Sequence, residues 1–172
     1  MRSLKLAAVA ALCVAVSACS KDGGSSSEAP ADAPASAPTP ASAPAPTDAE
    51  KAAALAALPA PYNTGDLSNG QSKFALCRSC HTIAQGGPDL TGPNLYGVFG
   101  RQAGTKAGYS YSDAVKAAGF VWDAQQLDKW LADPRGFMPG TKMTFAGIKN
   151  EKDRIDLIAY LKVETGYQPA AK

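Results

Sequence analysis

Cys77-Arg78-Ser79-Cys80-His81 brings two thiols to helical-turn spacing and sets beside them the only histidine in the chain. Few chemistries use that arrangement. A Cys-x-x-Cys pair can close a disulfide, act as a redox dithiol or supply half of a zinc site. Zinc needs two further ligands at comparable spacing, and no second histidine is present. A thioredoxin-like dithiol needs a βαβ setting, which the glycine-rich sequence around the pair does not supply. The C-x-x-C-H order is instead the pattern of covalent haem attachment. Both sulfurs would form thioethers to the vinyl groups, and His81 would sit under the iron as its proximal ligand.

A covalent prosthetic group also answers a difficulty that composition poses. All thirteen aromatic residues of the 172-residue chain lie between Tyr62 and Tyr167, whereas eight of the thirteen prolines lie at or before Pro61. The first third is mainly Ala, Pro and Ser, so a core is confined to about 110 residues. A domain of that size often needs a metal, cofactor or disulfide. A two-domain enzyme, a coiled coil and a multi-pass membrane protein are excluded. Net charge is +2, with thirteen Lys/Arg against ten Asp/Glu from Tyr62 onward. That excess is too weak to argue nucleic-acid binding, but it permits a modest positive patch facing an acidic partner.

Residues 1–18 read as an export signal, with Arg2 and Lys5 before an apolar run, Leu6 to Val16, too short to span a bilayer. The run ends in Val16-Ser17-Ala18-Cys19, which resembles the lipobox of bacterial lipoproteins. By that resemblance the chain is cut before Cys19, whose thiol carries lipid and anchors the protein to a membrane. Small residues at Val16 and Ala18 also suit an ordinary signal peptidase. Cys13 would leave with the signal, so Cys77 and Cys80 are the pair that remains. Residues 19–61 form an Ala/Pro-rich tether, without large apolar residues from Gly23 to Pro46, and residues 62–172 form the domain. Ser20 after the cysteine leans toward the outer membrane.

Thr47 followed by Asp48, Glu50 and an Ala-rich run to Leu58 predicts a helix of about eleven residues, marginal in isolation. Within the domain, Leu67, Gly70, Phe74 and Cys77 share one helical face leading into the pentapeptide. Thr82 to Gly108 is glycine-rich and aperiodic, and reads as loop wrapped on something other than chain. Tyr111 to Ala118 predicts a short helix ended by Gly119. A second, capped by Asp123, runs through Leu127 and Leu131 to a stop at Pro134, and the last spans Asn150 to Glu164. No segment alternates as a strand should. The fold class is all-α, a few short helices and long loops around one haem.

With one histidine, the candidates for the sixth iron ligand are Met138 and Met143, both in the loop from Asp133 to Ile148. Either could equally be a packing residue. Pro139-Gly140-Thr141-Lys142-Met143-Thr144-Phe145-Ala146-Gly147-Ile148 resembles the ligand loop of class I c-type cytochromes, the mitochondrial cytochrome c and bacterial cytochrome c2 group. The resemblance runs from Gly70 to about Lys162 and includes Thr91-Gly92-Pro93-Asn94-Leu95-Tyr96-Gly97 and the segment from Arg154 to Leu161. It implies the cytochrome c fold, one covalent haem c, Met143 as axial ligand and Met138 as packing. It further implies that Pro93 accepts a hydrogen bond from His81, that Arg101, Tyr111 and Trp122 serve one haem propionate, and that Thr141 lies near the other. Two positions depart from the mitochondrial pattern: Trp130 stands for a tyrosine near the methionine sulfur, and Val115 for a buried asparagine.

The function so implied is a monomeric, membrane-tethered periplasmic electron carrier, not an enzyme. By family, its partners are a cytochrome bc1-type donor and a terminal oxidase. Docking is expected at the exposed haem edge, steered by Lys73, Arg78, Lys142 and Lys149. The alternative is a haem peroxidase or gas-binding sensor in which Met143 detaches, although no distal His or Arg is available for peroxide cleavage.

Overall fold

A computed structural model describes residues 46–166; the expected signal, Cys19 and most of the tether lie outside the described residues. The first element along the chain is helix α1, Asp48–Ala56, where Thr47 and Glu50 make a reciprocal capping box. A helix this short is unstable alone, and here it rests on the last helix, α6, with Leu55 and Leu58 against the core. Packed structure therefore begins within the segment read as the end of the tether. A 3₁₀ turn at Tyr62–Thr64 follows, with Tyr62 buried.

Helix α2, Leu67–Phe74, starts where Asp66 accepts hydrogen bonds from the Ser68 and Asn69 N–H groups. Helix α3, Asp113–Lys116, is shorter than the sequence suggests: Ser112 caps its start by accepting from Val115 N–H, and Ala117 closes it. Asp123 caps α4, Ala124–Ala132, by accepting from Gln126 N–H, as its position predicts. The sequence leaves residues 134–148 as loop, but Pro134–Phe137 forms one further turn, α5, with proline at its start and Asp133 accepting from Gly136 N–H. Proline's fixed φ and missing N–H suit that first position. Helix α6, Glu151–Thr165, is capped by Asn150. Among the described residues there is no strand, only an isolated antiparallel bridge between Gln102 and Val121, and no helix is long and apolar enough to cross a membrane.

Helix α6 is the centre of the packing. Helices α1, α2 and α4 and the 3₁₀ turn all contact it, and Leu157, Ile158 and Ala159 have no solvent exposure. A helix surrounded this way loses the one-sided apolar stripe expected of a surface helix. Its crossing with α2 is close: Gly70 lies against the Asp156 carbonyl, and Phe74 meets Tyr160 ring to ring at 5.9 Å.

A carboxylate is buried at that crossing. Asp156, 1% exposed, accepts hydrogen bonds from Asp66 N–H at 2.8 Å, Asn69 Nδ2 at 2.7 Å and Lys152 Nζ at 2.6 Å. Burial alone raises its pKa, but these three donors outweigh burial and hold it below the ordinary carboxylate value. A lowered folded pKa means the stabilisation is complete above the unfolded value, near pH 4, and is lost as pH falls through the folded one. Asp156→Asn is therefore expected to cost about 2 kcal/mol at pH 7 and much less at pH 3. Denaturant unfolding of the haem-bound protein at the two pH values measures the difference; an equal loss at both would show that ionisation is not what matters.

Candidate haem site

One cavity of about 360 Å³ opens between the turn after α2 and the segment after α5. The turns that follow α2 build its first wall: Cys77 N–H donates to the Phe74 carbonyl, and Cys80 N–H and His81 N–H both donate to the Cys77 carbonyl at 3.0 and 2.9 Å. Continued helical turning puts both sulfurs and the imidazole on the same cavity. No disulfide joins the two cysteines. Burial, with the neighbouring Cys80 second, pushes the Cys77 thiol up to about 11. Cys77 thus lacks the lowered pKa of a redox-active thiol. Among the described residues no group of three or more His, Cys, Asp or Glu side chains is arranged to hold a bare metal ion.

His81 is held as the resemblance implies. Its Nδ1 lies 2.7 Å from the Pro93 carbonyl. A carbonyl only accepts, so Nδ1 carries the proton and the Nε2 lone pair is left for a metal. Burial lowers the imidazole's pKa and the Pro93 contact partly opposes it, which favours the neutral ring that ligation needs. Gly92 supports this from behind. A Cβ there would lie 2.7 Å from both ring nitrogens, so only glycine lets the chain pass so close to the imidazole. Gly92 N–H also donates to the Cys80 carbonyl at 2.8 Å, which ties the Thr91–Pro93 strip to the attachment turn.

The opposite wall carries Thr141, Met143 and Phe145. Thr141 Oγ1 accepts from Met143 N–H at 3.2 Å, which fixes the backbone at the thioether and leaves the hydroxyl proton for another acceptor. Met138 is 7% exposed and does not line the cavity, so of the two candidate thioethers only Met143 faces it.

Arg101, Tyr111 and Trp122 all line the same cavity. A short antiparallel pairing brings two of them together: Trp122 N–H donates to the Arg101 carbonyl at 2.9 Å, and Ala103 N–H to the Phe120 carbonyl at 2.9 Å. The Arg101 guanidinium is half-buried and spends two donors on the Tyr96 and Asn94 carbonyls. Burial lowers its pKa, and no salt bridge among the described residues offsets that cost. A half-buried cation that is in no salt bridge, feels Asp89 only at longer range and faces a cavity walled by Val98, Val115, Leu127 and Trp130 fits a large apolar ring bearing an acid group. The donor set completes that fit: two thiols, one neutral imidazole and one thioether.

Tyr109 lines the cavity too and is absent from the sequence reading. Its hydroxyl donates to the Thr91 carbonyl at 2.6 Å and its ring meets Tyr111 edge-on at 4.8 Å. Alternation of Tyr109 and Tyr111 was the available signal. Trp130 and Val115, the two departures, both face the cavity, Trp130 packing on Trp122 at 5.5 Å. The expected steering cations are mostly engaged: Lys73 pairs with Asp153 at 2.9 Å, Lys142 donates to the Ser110 carbonyl and Lys149 to the Ala132 carbonyl.

A fold of short helices around a cavity with these donors defines a c-type cytochrome. The family model for cytochrome c matches residues 67–163, more than half of the chain. Cytochrome c of Kluyveromyces lactis is 47% identical over 105 residues, covering 60% of this chain and 96% of its own. That of Theileria parva is 52% identical over 99 residues, covering 57% and 85%. The solved structure of cytochrome cH from Methylobacterium extorquens superposes with a TM-score of 0.54 at 46% identity, covering 57% of this chain and 98% of that one. The chain belongs to the cytochrome c family, which binds haem c covalently and transfers electrons rather than catalysing a reaction.

Proposed function

We propose that this cytochrome is a membrane-tethered periplasmic electron carrier, receiving electrons from a cytochrome bc1-type donor and passing them to a terminal oxidase. The observation that carries the electron-transfer part is that His81 and Met143 line a single cavity with both attachment cysteines. Haem held there would supply a one-electron iron couple, with His81 and Met143 as the residues that would offer it an imidazole and a thioether. The chain's residues do the rest. Cys77 and Cys80 retain the porphyrin, Pro93 and Gly92 orient His81, Thr141 positions Met143, and Arg101 with Tyr111 and Trp122 balances a propionate. With both His81 and Met143 available on the cavity wall to hold the iron, electron transfer is favoured over peroxide or gas chemistry, which would need an open position.

Met143→Ala is expected to abolish the methionine-to-iron charge-transfer band of the oxidised protein and to let the reduced form bind carbon monoxide. Survival of the band in the variant refutes the ligand assignment, and ready carbon monoxide binding by the wild type refutes the carrier. The tether rests on the sequence, where an export signal, Cys19 and an Ala/Pro-rich stretch precede the domain. Cys19→Ser is expected to release the protein from the membrane fraction; retention there sinks the lipid anchor.

A further inference from the structure

The peptide joining Pro93 to Asn94 is engaged at both ends. Its carbonyl accepts from His81 Nδ1 at 2.7 Å, and its N–H donates to Asp89 Oδ1 at 2.7 Å. A single amide thus connects a carboxylate to the imidazole. The Asn94 side chain, 3% exposed, holds that amide in place: its Nδ2 donates to Thr82 Oγ1 at 2.6 Å and to the Ala84 carbonyl at 2.9 Å, and its Oδ1 accepts from Tyr96 N–H at 2.9 Å. The carboxylate is fixed as well. Lys106 Nζ lies 2.8 Å from Oδ1 and 2.9 Å from Oδ2, with the two side chains 23% and 24% exposed. The Lys106 hydrogen bond first, and the Asn94 N–H second, hold the Asp89 carboxyl below its ordinary value, so it is ionised at neutral pH.

Closing the loop from Asp89 to Asn94 needs only an acceptor, and a neutral oxygen would serve. A charge adds polarisation, because hydrogen bonds in series strengthen one another by roughly 10–30% per bond in a low-dielectric setting. The carboxylate draws on the Asn94 N–H, the amide passes electron density to the Pro93 oxygen, and that oxygen pulls harder on the His81 Nδ1 proton. We propose that Asp89 sets the donor strength of His81 through the Pro93–Asn94 peptide, with Lys106 tempering the carboxylate's charge. Neither Asp89 nor Lys106 lines the haem cavity. Both act on His81 through the amide, and an imidazole made more electron-rich at Nε2 would favour Fe(III) over Fe(II). The reduction potential is thereby adjusted from outside the cavity.

The relay rests on His81 ligating the iron, as the function proposed above requires. Its test uses the full-length, haem-loaded protein with isotope-labelled histidine, whose ring is read by NMR in the reduced form. Because His81 is the only histidine, one Nδ1–H resonance reports the bond to Pro93. Asp89→Asn keeps the shape and an acceptor but removes the charge. It is expected to move that resonance upfield and to shift the one-electron equilibrium about threefold toward Fe(II), or ~30 mV at about 59 mV per tenfold. The shift in potential should persist at about 0.5 M salt, where a direct effect of an exposed charge is largely screened. Lys106→Met keeps the carboxylate and frees it of its counter-ion, so the resonance should move downfield and the potential fall. An unmoved resonance in Asp89→Asn, or a potential change that salt abolishes, overturns the relay and leaves His81 ligation standing. Movement of the resonance in the same direction in both variants does so too, since a loosened loop then accounts for both. Absence of any haem-shifted His81 ring resonance in the wild type overturns the ligation and the relay together.

Discussion

The chain without its haem, prepared as Cys77→Ala with Cys80→Ala and His81→Ala, is expected to have no cooperative unfolding transition. The reason is volumetric. A cavity of about 360 Å³ lies among the turn after α2, the loop that follows it, α3, α4 and the segment after α5. At about 24 cal/mol per Å³ of unfilled space, leaving it empty forfeits on the order of 9 kcal/mol, comparable to the whole stability of a small domain, about 5–15 kcal/mol. Collapse onto the void does not rescue the native arrangement, because Val98, Leu127 and Trp122 are also members of the main core and would have to leave it. Far-UV circular dichroism of the haem-free variant should show little helix and no sigmoidal melt. Native helix content with a cooperative transition would mean that the protein alone fills its core.

Gly70→Ala is the second change expected to have a large effect. The added Cβ would collide with the Asp156 carbonyl and lie 2.6 Å from Tyr160 Cβ. Neither neighbour can move alone, since both belong to α6, whose flanks are packed against α1, α4 and the 3₁₀ turn. Separating α2 from α6 would also lengthen the hydrogen bonds from Asp66 and Asn69 to Asp156. A loss of at least about 3 kcal/mol follows for overpacking against rigid backbone. Gly86→Ala makes the comparison. Its φ is +69° but nothing lies within 4 Å of the added methyl, so only backbone strain of about 1 kcal/mol applies. Denaturant unfolding of the two haem-bound variants reads both values, and equal losses would show that the helix crossing is not tight.

The candidate iron ligands and attachment cysteines were legible because they are carried by contiguous sequence: a pentapeptide for Cys77, Cys80 and His81, and one loop for Met143. Pro93, Arg101, Tyr111, Trp122 and Thr141 could be read only through family resemblance, and the cavity gathers all five. What stayed hidden depends on chain meeting chain. The close pass of Gly92 behind His81 follows from a hydrogen bond to Cys80 that no spacing announces. Lysines look free in a sequence, yet Lys73 reaches an aspartate eighty residues away in α6. Helix α1 reads as a weak Ala-rich segment, because its support comes from Leu55 and Leu58 meeting a surface formed last in the chain. The short turn of α5 escaped because Pro134 was taken as a stop, when a proline that ends one helix can begin the next.

The seating of α1 on α6 has a mechanical meaning. Whatever holds the chain at its N-terminal end pulls first on α1, and α1 passes that force to the most deeply buried helix of the domain. Among the described residues no part of α1 or α6 lines the haem cavity. Were the chain held at its N-terminal end as proposed above, the load would fall on a layer separate from the cavity that His81 and Met143 line.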